Sequence, residues 1–435
     1  MTGARPQGSG PRPPGGDDPR RVRLRAGGAQ AIAHTLRPEA DIQGVRAGVA
    51  EILESVRARG DDALVEAARR FDHPEFTHDR LRVAPTAIEA AVGRLDPTLR
   101  AAIVAAAAQV RVVAETLLPD DRHVTLPFGQ RVQVRRVPVD AAGCYVPGGR
   151  AAYPSSLVMG AVPAQVAGVE RIVVVSPAGP DAKPAQVILA TAGLLGIEEV
   201  YAAGGAGAIG ALAFGTATIA PVAVVVGPGN PWVQEAKRQV VGLVGIDGVA
   251  GPSAVMIIAD ASADPEAMAL DLLAQAEHGP DSPAVLASDD PEVIAAVAQA
   301  LDGLPAAVGP ITLVECASMP LAIELAESFA PEHLEIATRD PEAIADQVTR
   351  SGAVFVGPNC ATAFGDYVAG SNHVLPTGGA ARHASALGPT TFLRRMSVVE
   401  MTDEAVEALT PHLAALADAE GFPMHRRSAE ARVRP

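Results

Sequence analysis

Apolar positions between residues 41 and 71 recur every three to four places in VRAGVAEILESVRARGDDALVEAARRF, which predicts amphipathic helices interrupted at Gly60. The segment Pro85–Glu115 repeats that period around an alanine-rich centre at Ala101–Ala108. Gln130–Val139 alternates as a strand does. From there the pattern changes. Arg171–Ser176, Glu199–Ala203 and Val222–Val226 are short apolar runs, and Ala185–Leu195, Ala206–Phe214 and Val233–Val244 between or after them have helical spacing. Strand and helix in regular alternation predict a parallel sheet with right-handed crossovers. Val255–Ala259, Val285–Ser288, Ile311–Val314 and Ala353–Val356 predict a second such sheet. The last fifty or so residues show no clear strand and are expected to be helical with irregular joins. Met1–Gly28, rich in Pro, Gly and Arg, is expected to be a flexible solvated tail.

With 435 residues the chain has room for two or three domains and sizeable cores. Aromatics are only 3 %, so those cores are built from Ala, Val, Leu and Ile, which suits helices packed on parallel strands. A net charge of −15 excludes nucleic acid and anionic membrane as main partners. No apolar run is expected to span a bilayer, and the N-terminus lacks the apolar region of a secretory signal. Cys144, Cys316 and Cys360 are too scattered for a disulfide framework or a thiolate zinc site, which fits a reducing cytoplasm.

Candidate chemistry is confined to a few stretches. Asp264-Pro265 reads as a helix start and Gly279-Pro280 as its stop, and Gln275 and His278 leave the last turn on one face. An amide oxygen and an imidazole at that spacing supply half of a four-coordinate metal site. Glu332-His333 places a carboxylate beside an imidazole, a water activator next to a proton acceptor. Asp366 and His373 lie on a glycine-containing stretch read as a loop. Glu420 and His425 flank Gly421 and Pro423, which break the helix and let both side chains turn to one ligand. Gln275, His278, Asp366 and His425 together offer two imidazole nitrogens and two oxygens, a set that suits zinc, with manganese less favoured. Gly143–Gly149, Gly204-Gly205 and Gly227–Asn230 are turn-rich and mostly follow strands, where open α/β sheets bind ligands. Neither Gly204-Gly205 nor Gly227–Asn230 comes with the acidic partner of the G-x-G-x-x-G fingerprint, so a dinucleotide would be held in a non-standard way.

The stretches GCYVPGG, YPSSLVM, GGAGAIGALAFGT, GPGNPWVQEAKRQV, AGPSAVMIIAD, QAEHGPDS, FAPEHLEI, GDYVAGSNHVLPT and EGFPMH stand in the order found in histidinol dehydrogenases. The chain resembles that family from about residue 41 to its end. The resemblance implies two Rossmann-like α/β domains with small terminal extensions, in an intertwined homodimer. On that division, 1–40 is tail and extension, and 41–144 with 259–387 carries the zinc and acid/base residues. Residues 145–258 form the NAD side, and 388–435 complete the partner's site. It further implies zinc on Gln275, His278, Asp366 and the partner's His425, with Glu332 and His333 as the acid/base pair. Ser253, His373 and Glu420 would line the substrate site, and Tyr145 and Asn230 would contact NAD. The implied reaction is oxidation of L-histidinol to L-histidine through the aldehyde, with two NAD⁺.

This chain departs from the family where Gly207 replaces a usual Gln, Ala254 a usual Glu, and Ala361-Thr362 a usual Pro-Glu pair. Those changes spare the metal and acid/base positions and bear on cofactor binding. Two other readings stay open at this point. One is a related zinc- and NAD-dependent dehydrogenase acting on another alcohol, such as a sulfonated diol. The other is a zinc hydrolase driven by Glu332, although no hydrolase signature such as H-E-x-x-H is present.

Overall fold

The computed structural model describes residues 18, 20–37, 43–148 and 152–434; most of the expected tail, and Gly149 of the turn-rich stretch, lie outside them. Among the described residues the strands, in chain order, are β1 (Arg21–Leu24), β2 (Arg122–Thr125), β3 (Arg131–Pro138), β4 (Ala141–Tyr145), β5 (Arg171–Ser176), β6 (Glu199–Ala202), β7 (Val224–Val226), β8 (Gly245–Ile246), β9 (Val255–Ala259), β10 (Ala284–Ser288), β11 (Ile311–Cys316), β12 (His333–Ala337), β13 (Ala353–Val356) and β14 (Leu393–Glu400). They fall into two compact units. The first comprises Met1–Ile42, Ala250–Tyr367 and Leu375–Ala386, and the second Gln43–Val249, Val368–Val374 and Leu387–Pro435.

In the first unit six strands lie in the order β1-β11-β10-β9-β12-β13, all parallel. Counted from β9, the five main strands run 3-2-1-4-5, five of the six positions of the doubly wound order 3-2-1-4-5-6. Side chains alternate between two cores. Met256, Ile258, Leu334 and Ile336 face one side, and Val255, Ile257, Leu286 and Leu313 the other with Met268 and Leu272. The flexible tail expected through Gly28 ends sooner: Arg21–Leu24 is an edge strand in register with Leu313–Cys316, anchored by Leu24, which is buried against Cys316 and Phe329. Its RVRL pattern is too short and too charged to stand out from the tail. Helix Ala29–Leu36 follows it and packs on helix Met319–Phe329.

The second unit repeats the arrangement with β6-β5-β4-β7-β8, again parallel and again 3-2-1-4-5. Helices Arg46–Arg59, Asp61–Phe71 and Gly205–Phe214 share one core with Tyr145, Val173 and Val175. Helices Pro85–Arg94, Pro154–Val166 and Gln186–Leu194 share the other with Cys144 and Val174. The division read from the sequence therefore shifts: residues 43–144, assigned there to the zinc-bearing domain, pack on this sheet, and a boundary at 144/145 would cut the central strand β4.

The expectation of a strandless C-terminus is also corrected. Leu393–Glu400 pairs antiparallel with β3 over eight residues and with β2 completes a three-stranded sheet. Its side chains are mostly exposed, so no apolar run marks it. Helix Pro97–Thr116, at 20 residues and mean hydropathy 1.3, does reach the length and composition of a membrane span, contrary to expectation. Ile103 and Val110 on that helix pack against Val158, Met159 and Val162, and Arg111 donates to Gln165 Oε1 at 2.7 Å.

Candidate active site

Helix Pro265–Ala276 starts as its sequence requires. The Asp264 carboxylate accepts from the N–H groups of Glu266 and Ala267, and Pro265 occupies the first turn, where it has no intrahelical bond to lose. Gln275 lies in the last turn; His278 sits just beyond the Glu277 cap, before Gly279 at φ +152°. Both reach one hydroxyl. Gln275 Nε2 donates to Ser253 Oγ at 2.9 Å, and His278 Nδ1 lies 3.2 Å from the same oxygen, to which it donates in the tautomer that carries the proton on Nδ1. These two bonds hold the pair in place and leave Gln275 Oε1 and His278 Nε2 available as ligands.

The neighbouring residue connects to a second cluster. Ala254 N–H donates to Glu332 Oε2 at 3.2 Å, and His333 N–H donates to Ala254 O at 3.1 Å. Glu332 and His333 are 7 % and 3 % exposed at the start of β12. His333 Nε2 stands 3.4 Å from Asp366 Oδ1 and Nδ1 4.0 Å from Glu332 Oε2, while both ring nitrogens are buried with no hydrogen-bond partner. A buried imidazole with unsatisfied nitrogens is costly and marks a place where a ligand is expected to bond. Burial pushes the Glu332 carboxyl up to about 7, outweighing the opposing pull of His333. Burial acts to lower His333, but the Asp366 and Glu332 carboxylates outweigh it and leave the ring above its ordinary value.

Thus Ser253, Gln275 and His278 come together, as do Glu332, His333 and Asp366, all within the first unit. They sit at the amino ends of β9 and β12, whereas ligands of open α/β sheets ordinarily lie at the carboxyl ends. At those carboxyl ends Asp260 occupies the position itself, accepting from Ser262 N, Ser262 Oγ and Arg339 N. Asp366, expected on a loop, lies in the short helix Thr362–Tyr367. Among the described residues no three His, Cys, Asp or Glu side chains form a metal cluster; the expected set has only two such residues here, His278 and Asp366, beside the Gln275 amide.

The remaining predicted residues belong to the second unit. Tyr145 ends β4, and its hydroxyl accepts from Gly205 N at 3.3 Å. Asn230 caps helix Pro231–Val240 by accepting from Val233 N, which leaves its amide N–H groups to a ligand. The loop before it follows β7 at a carboxyl end, where a Cβ on Gly227 would come 2.1 Å from Tyr145 O, so only glycine fits this close approach. Sequence reasoning missed what holds that loop: the buried ion pair Lys237–Asp247, with Lys237 Nζ donating to Gly227 O and Asp247 Oδ2 accepting from Gly227 N. The available signal was a lysine on the apolar side of an amphipathic helix. A backbone cradle of this kind, at strand carboxyl ends, fits a dinucleotide. Gly207 lies in helix Gly205–Phe214, where a Cβ would meet Leu64 at 3.4 Å, ordinary contact with a neighbouring apolar side chain. His373 Nε2 is 3.5 Å from Ser156 Oγ. Glu420 and His425 are exposed; His425 is in helix Pro423–Glu430 and stacks on Phe422 at 5.0 Å. The expectation that Gly421 and Pro423 break the helix holds, since one helix ends at Ala419 and the next begins at Pro423.

A family profile described as histidinol dehydrogenase matches residues 35–433. The chain is 44 % identical to the histidinol dehydrogenase of Rhizobium meliloti over 405 residues, covering 90 % of this chain and 92 % of that protein. It is 45 % identical to that of a Synechococcus species over 399 residues, with 89 % and 92 % covered. The crystal structure of histidinol dehydrogenase from Elizabethkingia anophelis superposes with a TM-score of 0.89 at 31 % identity, covering 95 % of this chain and 98 % of that one. The chain belongs to the histidinol dehydrogenase family.

Proposed function

We propose that this chain oxidises L-histidinol to L-histidine through L-histidinaldehyde, with zinc in each site and His425 delivered by a second copy of the chain. NAD-dependent oxidation of histidinol is the activity of the family to which the chain belongs. The observation that carries the finer reading is the pairing of two clusters on adjacent residues, Ser253 with Gln275 and His278, and Ala254 with Glu332, His333 and Asp366. When bound, NAD⁺ accepts one hydride per oxidation, and zinc on Gln275, His278, Asp366 and the second chain's His425 orients the substrate's nitrogens.

The chain's own residues handle the protons. His333 takes the hydroxyl proton as the carbinol carbon gives up its hydride, and its raised pKa favours holding that proton. Glu332 then takes a proton from water, whose oxygen adds to the aldehyde carbon; the hydrate anion gives up a second hydride, and the carboxylic acid so formed releases its proton to solvent as the carboxylate. With a pKa near 7, Glu332 is poised to do this at neutral pH. Cys144 and Cys316 are poor nucleophiles, since burial pushes both thiols up to about 12. The test is NADH formation from L-histidinol with and without a chelator, beside a panel of other alcohols. Chelator-sensitive turnover of histidinol is expected. Turnover of another alcohol alone, or full activity after metal removal, would overturn the substrate or the zinc assignment respectively.

A further inference from the structure

The ladder between β4 and β7 ends at Cys144 and Val226, and that between β7 and β8 at Val225 and Ile246. Just beyond them the peptide groups of Gly227 are taken up by side chains. Asp247, directly after β8, accepts from Gly227 N through Oδ2 at 2.8 Å, and Lys237, in helix Pro231–Val240, donates from Nζ to Gly227 O at 3.0 Å. Lys237 and Asp247 also pair with each other, their side chains 1 % and 4 % exposed. Gly227 is thus bonded on both sides of its α-carbon while it presses on Tyr145 O, at a φ of +123° that only glycine adopts freely. Three residues later Asn230 caps the helix that carries Lys237, so the loop is fixed at one end by the ion pair and at the other by the cap. Desolvation of two buried charges largely cancels their mutual attraction, and apolar residues of similar volume would stabilise the fold as well. The pair is therefore better accounted for by the geometry it imposes on Gly227 than by stability.

We propose that Lys237 and Asp247 are positioning residues for the cofactor: they preset the loop Gly227–Asn230, so that a dinucleotide meets Tyr145 and Asn230 without first ordering the chain beside them. The inference rests on reading the second unit as the NAD side. Neither charge is presented to the ligand, since each is buried and directed at Gly227 and at the other. Their contribution to affinity is conformational entropy lost on folding instead of on binding. The effect falls on the cofactor and spares the substrate, because the clusters around Ser253 and Glu332 belong to the first unit.

The test measures NAD⁺ binding to the full chain by calorimetry, beside steady-state kinetics on L-histidinol, with circular dichroism confirming the fold of each variant. Lys237→Met/Asp247→Leu removes both charges and both bonds to Gly227. It is expected to bind NAD⁺ about tenfold more weakly and to raise KM for NAD⁺ by the same factor, while kcat at saturating NAD⁺ and KM for L-histidinol stay within about twofold of wild type. Lys237→Met/Asp247→Asn keeps an acceptor for Gly227 N and is expected to recover part of the loss, binding NAD⁺ about threefold more weakly than wild type; it carries the test alone should the first variant fail to fold. Unchanged NAD⁺ affinity in folded variants, or equal losses for NAD⁺ and L-histidinol, overturns the positioning role alone. Wild-type protein that does not bind NAD⁺ overturns the NAD reading of the second unit and this inference with it.

Discussion

Glu332 shows how burial converts an ordinary carboxyl into a base useful near neutrality, and the same shift has a cost in stability. The folded chain holds its proton up to about pH 7, whereas the unfolded chain releases it near the usual 4.5. The stability associated with that proton is present in full below the unfolded value and is lost as pH rises through the folded one, up to about 3 kcal/mol in total. Glu332→Gln in metal-free protein should flatten this loss, so that the variant unfolds at higher denaturant than wild type at pH 8 but not at pH 4.5. In single-turnover assays the same variant should lose aldehyde oxidation far more than alcohol oxidation, since only the second step needs activated water. Parallel pH–stability curves, or equal losses in the two steps, would rule out these roles. Glu332-His333 and Gln275…His278 were legible in sequence because each pair is local. Ser253 joining Gln275 to His278, and Ala254 donating to Glu332, were not: those contacts span 22 and 78 positions of chain, and a residue's type carries no record of a distant partner.

Among elements, legibility followed burial. The interior strands β5 and β9 were read at their observed ends because parallel strands covered on both faces need continuous apolar runs, and the edge strand β13 because it is apolar although partly exposed. Strands β1, β2 and β14 lie at sheet edges or carry mostly exposed side chains, and polar residues serve there as well as in a loop. One buried strand breaks the apolar rule. Glu335 lies in β12, 2 % exposed, beside Asp271 of helix Pro265–Ala276. Burial, reinforced by the Asp271 charge, pushes Glu335 up to about 9, so the two carboxyls share a proton at neutral pH and join the helix that carries Gln275 to the strand that carries His333. Because the folded value is raised, the stability from this proton is whole in acid and disappears as pH rises through about 9. Glu335→Gln keeps a donor for Asp271 without a titrating proton. Its thermal midpoint should hold between pH 7.5 and about 10, where that of wild type falls. Coincident midpoints over that range would show that the pair does not hold the proton.

At the level of the whole molecule, sequence periodicity captured two parallel α/β sheets but not which helices each one gathers, because helix periodicity reports a buried face without naming what buries it. The two units share one strand order and carry their candidate site residues at opposite ends of it. The second offers the carboxyl ends of β4 and β7 through Tyr145, Gly227 and Asn230; the first offers the amino ends of β9 and β12, where helix Pro265–Ala276 returns with Gln275. The zinc reading needs one more nitrogen, and its candidate, His425, is exposed in a short helix near the chain's end. If a second chain supplies it, each site mixes residues of two copies, and this has a consequence that no single-chain site shares. His278→Ala and His425→Ala should each be inactive alone. Mixed dimers of the two, isolated through different affinity tags, contain one site that lacks both ligands and one that lacks neither, so they should recover about half of wild-type activity and bind about half the zinc. Were His425 to serve its own chain, every site in the mixed dimer would lack one ligand, and neither activity nor metal would return.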